Sequence, residues 1–306
     1  MTESVPSTGI GPLSARLREL ADHFAAPTAG RLTEEQRALA LGIARRLTAD
    51  VAACLDPAMA IDDMWRAWLD QGVPGGAALA SACFARAEEH RWREQSAQRA
   101  TPPPILTDGD PAPGETPLDA PLSDVDGAHL TLRIADRRRF DALGNPALAI
   151  ADIDGDLFRL LLRDIAAWRL DEVSGDRASA AELGDRVRIV TDAQAGERGM
   201  MDAAGAYAAL LGKQLPDGAA DAIARHDWPT LIALAAVATR RGYTDMALAL
   251  LTAETAALPS LLAPLQLDRA ALAPIEASLA MLPSRAVADD GADAALSSFT
   301  AQDRGR

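Results

Sequence analysis

Cysteine is nearly missing from this chain: Cys54 and Cys83 are its only two in 306 residues, set in separate apolar stretches without metal-ligand spacing. A disulfide framework is thereby excluded, and two thiols packed inside a protein of a reducing compartment are the expectation. Lysine is rarer still. Lys213 stands alone, so the basic residues are almost all arginine, a compositional habit to which no function is attached. The four histidines, His23, His90, His129 and His226, are scattered, and none forms the helix-spaced pair with a carboxylate that a zinc site requires, so no metal or cofactor is expected. No apolar run approaches the ~18 residues of a membrane span, and the opening MTESVPSTGIGPLS has neither the basic start nor the apolar core of a signal peptide. A cytoplasmic protein without membrane contact is expected. Positive charge is also short. The formal net charge of −14 argues against nucleic acid, whose phosphates are gripped by clustered Lys and Arg.

What is present is helix-forming material. Aromatics make up 4% of the chain, and its 49% hydrophobic share is mostly Ala and Leu, which lose little rotamer freedom in a helix. LSARLRELADHF (13–24) spaces Leu13, Leu17, Leu20 and Phe24 as a short amphipathic helix. In RLTEEQRALALGIARRLTADVAACL, Thr33 and Gln36 have capping-box spacing, Glu34 and Glu35 suit a first turn, and Leu39, Ile43, Leu47 and Val51 repeat along one face. MAIDDMWRAWLDQG reads as a helix stopped near Gly72, and GGAALASACFARAEEHRWREQSAQRA as a long helix that becomes charged towards its end.

Seven prolines in the 23 positions of TPPPILTDGDPAPGETPLDAPLS remove regular structure there and mark a linker or insert, spacer rather than polyproline ligand. In the stretch after it, 128–134 alternates as a strand would, but its helical surroundings favour a helix. Further helices are expected near 155–172, 178–193, 198–212, 217–226, 229–241, 244–257 and 268–282, with Asp227 as a cap, Pro229 in a first turn and Gly242 as a stop. The resulting organisation is all-α, a helical bundle or HEAT-like helical repeat in two helical subdomains joined by a Pro-rich linker. Its parts are a disordered N-terminus (1–12), an N-terminal helical subdomain (13–100), the linker (101–125), a C-terminal helical-repeat subdomain (126–283) and a disordered acidic tail (284–306).

The stretch ALAIADIDGDLF (147–158) carries the one arrangement suggestive of chemistry. Asp152 and Asp154 are spaced as the nucleophile and acid/base of a haloacid-dehalogenase-like, Mg-dependent phosphatase. Such a loop must leave a buried parallel strand, and the preceding run is alanine-rich with no alternating strands around it. A calcium loop fails on its sixth and twelfth positions, Leu157 and Arg163. The plainer reading makes these aspartates the cap and charged first turn of a helix whose Leu157, Leu161, Ile165 and Trp168 face inwards. His226-Asp227 lacks a serine in a nucleophile-elbow context and reads as a helix junction. The candidate interaction surface comprises Trp65 and Trp68, a packing face unless exposed, and Arg137, Arg138 and Arg139, the one dense basic run.

The segments DRRRFDALGNPALAIADIDGDLFRLLLRDIAAWRL, RLTEEQRALALGIARRLTADVAACL and AIARHDWPTLIALAAVATRRGYTDMALALL together resemble the alphaproteobacterial domain of unknown function 2336 family. The resemblance implies an all-helical, HEAT-like protein and brings no catalytic residues; Gly155 and the Pro-rich insert depart from the family pattern. The functional expectation is therefore a non-enzymatic scaffold or regulatory adaptor for a protein partner, with the phosphatase as the alternative.

Overall fold

Thr33 starts the first helix of the computed structural model, which describes residues 32–99, 122–172 and 177–285. Its side chain accepts from the Gln36 amide at 3.1 Å, and the Gln36 side chain accepts from the Thr33 amide at 3.0 Å. Two amide donors that a helix end leaves unpaired are thus satisfied by its own first turn. This helix, α1 (Glu34–Leu55), leads to α2 (Asp62–Gln71) and the long α3 (Gly76–Arg99). The expected helix over 13–24, the Pro-rich segment up to position 121 and the tail beyond 285 lie outside the described residues.

After them come α4 (Asp124–Arg137), α5 (Gly155–Glu172), α6 (Arg177–Gly196) and α7 (Met200–Leu211). The chain continues through α8 (Leu215–Ala224), α9 (Trp228–Thr239) and α10 (Tyr243–Thr252), then the single turn α11 (Leu258–Leu261) and α12 (Ala273–Ala280). Among the described residues there is no strand, only an isolated antiparallel bridge between Phe140 and Pro146. The ambiguous 128–134 is helical inside α4, capped by the Ser123 hydroxyl on the Asp126 amide.

Two apolar cores result, and they do not divide at the Pro-rich segment. The first joins α1, α2 and the front of α3 (Leu79, Cys83, Phe84) to Leu157, Phe158, Leu161 and Ile165 of α5. The second gathers Trp92 of α3 with Leu132 of α4 and α7 to α12. α3 therefore serves both cores, and α5, expected in the C-terminal subdomain, packs with the N-terminal helices. Trp65 and Trp68 are each 8% exposed and belong to the first core. As part of an interaction surface they are corrected, because their spacing of three puts both indoles on the face of α2 that turns into the first core.

Helix α9 is the hub of the second core. Every residue from Trp228 to Ala236 is buried, as expected of a helix apolar on all sides, and it packs on α7, α8 and α10. It ends differently from expectation. Arg240, at φ 56°, takes the left-handed position, and the Arg241 amide reaches back to the Ala236 carbonyl at 3.0 Å. Gly242, at φ −64°, instead begins α10 in a conformation open to any residue.

Candidate functional site

The middle of α3, where the first core gives way to the second, reads ARAEEHRWREQS, and four of these charged residues are buried: Arg86, Glu88, Glu89 and Arg91. Glu88 accepts from the Gln36 amide group at 3.0 Å and from Arg91 Nη1 at 2.7 Å, while Arg91 also donates to Glu35 at 3.1 Å and to the Pro283 carbonyl at 2.8 Å. α1, α3 and the end of the described chain are tied together there.

Glu89 is the centre of a larger cluster. Arg139 grips its carboxylate in fork geometry, Nη1 to Oε1 at 3.0 Å and Nη2 to Oε2 at 2.6 Å, and the Tyr243 hydroxyl donates to Oε1 at 3.0 Å. Arg86 and Arg93 stand 3.8 and 3.7 Å from the same oxygen. Burial alone would raise the carboxyl's pKa, but the guanidiniums of Arg139 and Arg86 overrule it and hold the group at about 2. Arg86 moves down to about 10, through burial first and then the like charge of Arg139, and it remains a cation at neutral pH. Its Nε donates to the Ala147 carbonyl at 3.1 Å and its Nη2 to the Arg139 carbonyl at 2.7 Å, clamping the 139–147 loop onto α3. Arg93 chelates Asp136 of α4 at 2.7 and 3.0 Å.

The loop shapes itself around Asp141, whose carboxylate accepts from the amides of Leu143 and Asn145 and from the Asn145 side chain at 2.8–2.9 Å. The Asn145 side-chain hydrogen bond does most to lower that carboxyl's pKa. This closure directs Phe140 back over α3, where Arg86 and Arg93 lie 4.6 and 5.0 Å from its ring centre. The sequence gives one usable sign of the whole cluster: Arg86 and Glu89, three apart, fall on inward positions of a helix otherwise lined by Leu79, Cys83 and Phe84.

The two aspartates of the phosphatase motif part company. Asp152 closes a 3-10 turn (Ile150–Asp152), accepts from the Met200 amide at 2.6 Å and points its other oxygen at Arg139 Nε, 4.0 Å away. Burial raises its pKa, with Arg139 opposing. Asp154 is exposed and caps α5 through the amides of Asp156 at 2.8 Å and Leu157 at 3.3 Å. Leu157 and Leu161 are buried, as the capping reading requires. No strand delivers this loop, and among the described residues no three His, Cys, Asp or Glu side chains are grouped to hold a metal ion.

Beside the buried cluster a groove of about 560 Å³ opens between α3, α4 and the α8–α9 turn. His90, Arg93, Glu94 and Ala97 line it from α3, Arg133 from α4, Phe140 from the loop, and Arg225 to Asp227 from the turn. Asp227 caps α9 by accepting from the Thr230 amide at 3.5 Å, takes a second bond from the Thr230 hydroxyl at 2.9 Å and pairs with Arg133 at 3.1 Å. His226 holds the left-handed position of the turn at φ 56°. Ser96, also at the groove, is committed elsewhere: its hydroxyl donates to the Trp92 carbonyl at 2.9 Å and accepts from Trp228 Nε1 at 2.7 Å, beneath the stacked Trp92 and Trp228 rings. Among the described residues no imidazole is hydrogen-bonded to it.

Of the arginine run, Arg139 is buried at the Glu89 cluster and is corrected as a surface residue. Its planar fork fits the buried carboxylate. Arg137 and Arg138 are exposed, and neither has a carboxylate partner among the described residues. The site thus belongs to a class, an all-helical protein with an internal ion cluster beneath an open groove. No family model, curated protein or solved structure matches the chain.

Proposed function

We propose that the protein is a non-catalytic adaptor that binds a protein partner at the groove between α3, α4 and the α8–α9 turn. The observation that carries this reading is how the polar groups are used. Glu89, Arg139, Arg86, Tyr243 and Asp152 are spent on holding the helices together. The groove beside them is open and mixed in character, which suits recognition. A phosphatase using Asp152 and Asp154 finds no support in the positions of the two carboxylates. The reading extends to a HEAT-like stacking of the helix pairs from α7 to α12, in keeping with the resemblance to the domain of unknown function 2336 family, and to two helical parts joined by the Pro-rich segment. It also takes the protein to act in the cytoplasm, without nucleic acid, in accord with the net charge of −14.

The test is site-specific crosslinking in cytosol of the native cell. A benzophenone amino acid replaces Arg225 at the groove or Arg188 on the exposed face of α6. A discrete protein adduct from position 225 and none from position 188 is expected. The same adducts from both positions, or none from position 225, would overturn the reading.

A further inference from the structure

We propose that the groove and the outward face of α4 beside it form a docking surface for an acidic, partly apolar peptide segment of the partner. The proposal rests on the adaptor reading above and adds the chemistry of what is bound. Helical geometry sets out the face. Leu132, Ala135 and Asp136 turn inwards, so Leu130, Ile134, Arg133, Arg137 and Arg138 share the outward arc. Leu130 and Ile134, one turn apart, are each 48% exposed. On one side of them lie Arg133 and Arg137, and on the other Arg138. Leu143, 89% exposed, follows in the loop that α4 leads into.

Scattered exposed leucines need no explanation, but two apolar side chains framed by three arginines, in a chain of net charge −14, do. Arg137 and Arg138 have no carboxylate partner among the described residues. Among the described residues Arg133 pairs with Asp227 at 3.1 Å, and Arg225 on the far lip with Asp221 one turn back; both arginine side chains and that of Asp221 are more than half exposed, whereas Asp227 is 10% exposed. The Arg225–Asp221 pair is of the exposed kind worth ~0–1 kcal/mol, so an incoming carboxylate can replace Asp221 at little cost, while Arg133, kept in place by the largely buried Asp227 through one Nη, has its other N–H groups to offer a second carboxylate. The surrounding acidity supplies selectivity. A segment carrying Asp or Glu is repelled over most of the surface and attracted here, and its apolar side chains meet Leu130 and Ile134.

The probe is a fluorescein-labelled peptide of about twelve residues with Glu and Asp on one helical face and Leu on the other, of the kind that lies in a groove, and its counterpart with Gln and Asn in their place. Anisotropy with the full chain is expected to show saturable binding of the acidic peptide alone, weakening about tenfold between ~50 and ~300 mM salt. The combined change Arg133→Glu, Arg137→Glu and Arg138→Glu is expected to weaken it at least about tenfold, and Leu130→Ala with Ile134→Ala several-fold, while Arg188→Glu leaves it unchanged. All are exposed positions, and unaltered far-UV circular dichroism confirms that each variant folds.

Equal binding of the Gln/Asn peptide, indifference to the charge reversal, or no saturable binding overturns the proposal. So does displacement by glutarate or inorganic phosphate at matched ionic strength, which would mark a small-anion pocket, or a self-association that the reversal abolishes. The two readings fail separately. A protein adduct at position 225 without acidic-peptide binding removes the chemistry and keeps the adaptor, whereas peptide binding without an adduct does the reverse.

Discussion

Replacing Glu89 by glutamine removes one charge and almost no volume from the centre of the buried cluster. Its side chain is fully buried, bonded to Arg139 at 2.6 and 3.0 Å and to Tyr243 at 3.0 Å, with Arg86 at 3.8 Å. The carboxyl's fall from 4.5 to about 2 corresponds, at 1.36 kcal/mol per pH unit, to about 3 kcal/mol favouring the charged form in the folded state. Removing one partner of a buried pair generally costs ~3–5 kcal/mol, because the remaining charge stays desolvated. Glu89→Gln is therefore expected to lower unfolding free energy by about 3 kcal/mol, a large part of the ~5–15 kcal/mol typical of a folded domain. Urea unfolding followed by far-UV circular dichroism measures it by linear extrapolation. A double-mutant cycle with Arg139→Gln should give a coupling above ~1.5 kcal/mol. A loss below ~1 kcal/mol, the value of an exposed pair, or no coupling, would refute the reasoning.

The same group fixes an acid dependence. Glu89 is lowered, so its contribution is present above its unfolded value and is lost as pH falls from about 4.5 towards 2; Asp152, raised by burial, runs the opposite way and favours the folded state when protonated. The urea midpoint of the native protein should drop through that window more steeply than that of Glu89→Gln, and parallel curves would contradict the assignment. Gly199→Ala places a Cβ 2.3 Å from Asp152 Oδ1 and 2.7 Å from the Ala151 carbonyl oxygen, so the junction of the Ile150–Asp152 turn with α7 must shift; a loss of ~1–3 kcal/mol in urea unfolding is expected, and a neutral outcome would show that the junction yields freely. Arg240→Gly should raise stability by up to ~1 kcal/mol, because Arg240 occupies the left-handed C-terminal position of α9 at φ 56°; a lower melting temperature would show that its side chain matters more than its backbone.

Most of the helical order was legible because helix starts are local. Thr33 and Gln36, Asp227 and Pro229, and Asp154 ahead of Leu157 and Leu161 each carry their signal within one or two turns. The end of α9 departs from the expected stop at Gly242 because a glycine announces a left-handed turn more readily than the arginine two residues earlier that adopts it. The buried cluster was hidden for a different reason. Arg86, Glu88, Glu89 and Arg91 look like a solvated run, and their burial depends on Arg139, Tyr243 and Gln36, which lie about 50 to 150 residues away in sequence and meet them only once helices pack. Spacing alone could not separate Arg139 from its neighbours either, since α4 ends at Arg137 and the turn that follows, not helical periodicity, sends Arg139 into the core and leaves Arg138 in solvent.

Hydrogen–deuterium exchange of the full chain with saturating acidic peptide tests the central claim most directly, because it reports where the molecule is covered. Slower exchange in 130–145 and around the Arg225–Asp227 turn, with α6 unchanged, is the predicted result. Protection confined to α6 or spread evenly over the chain, or none under saturation, would contradict it.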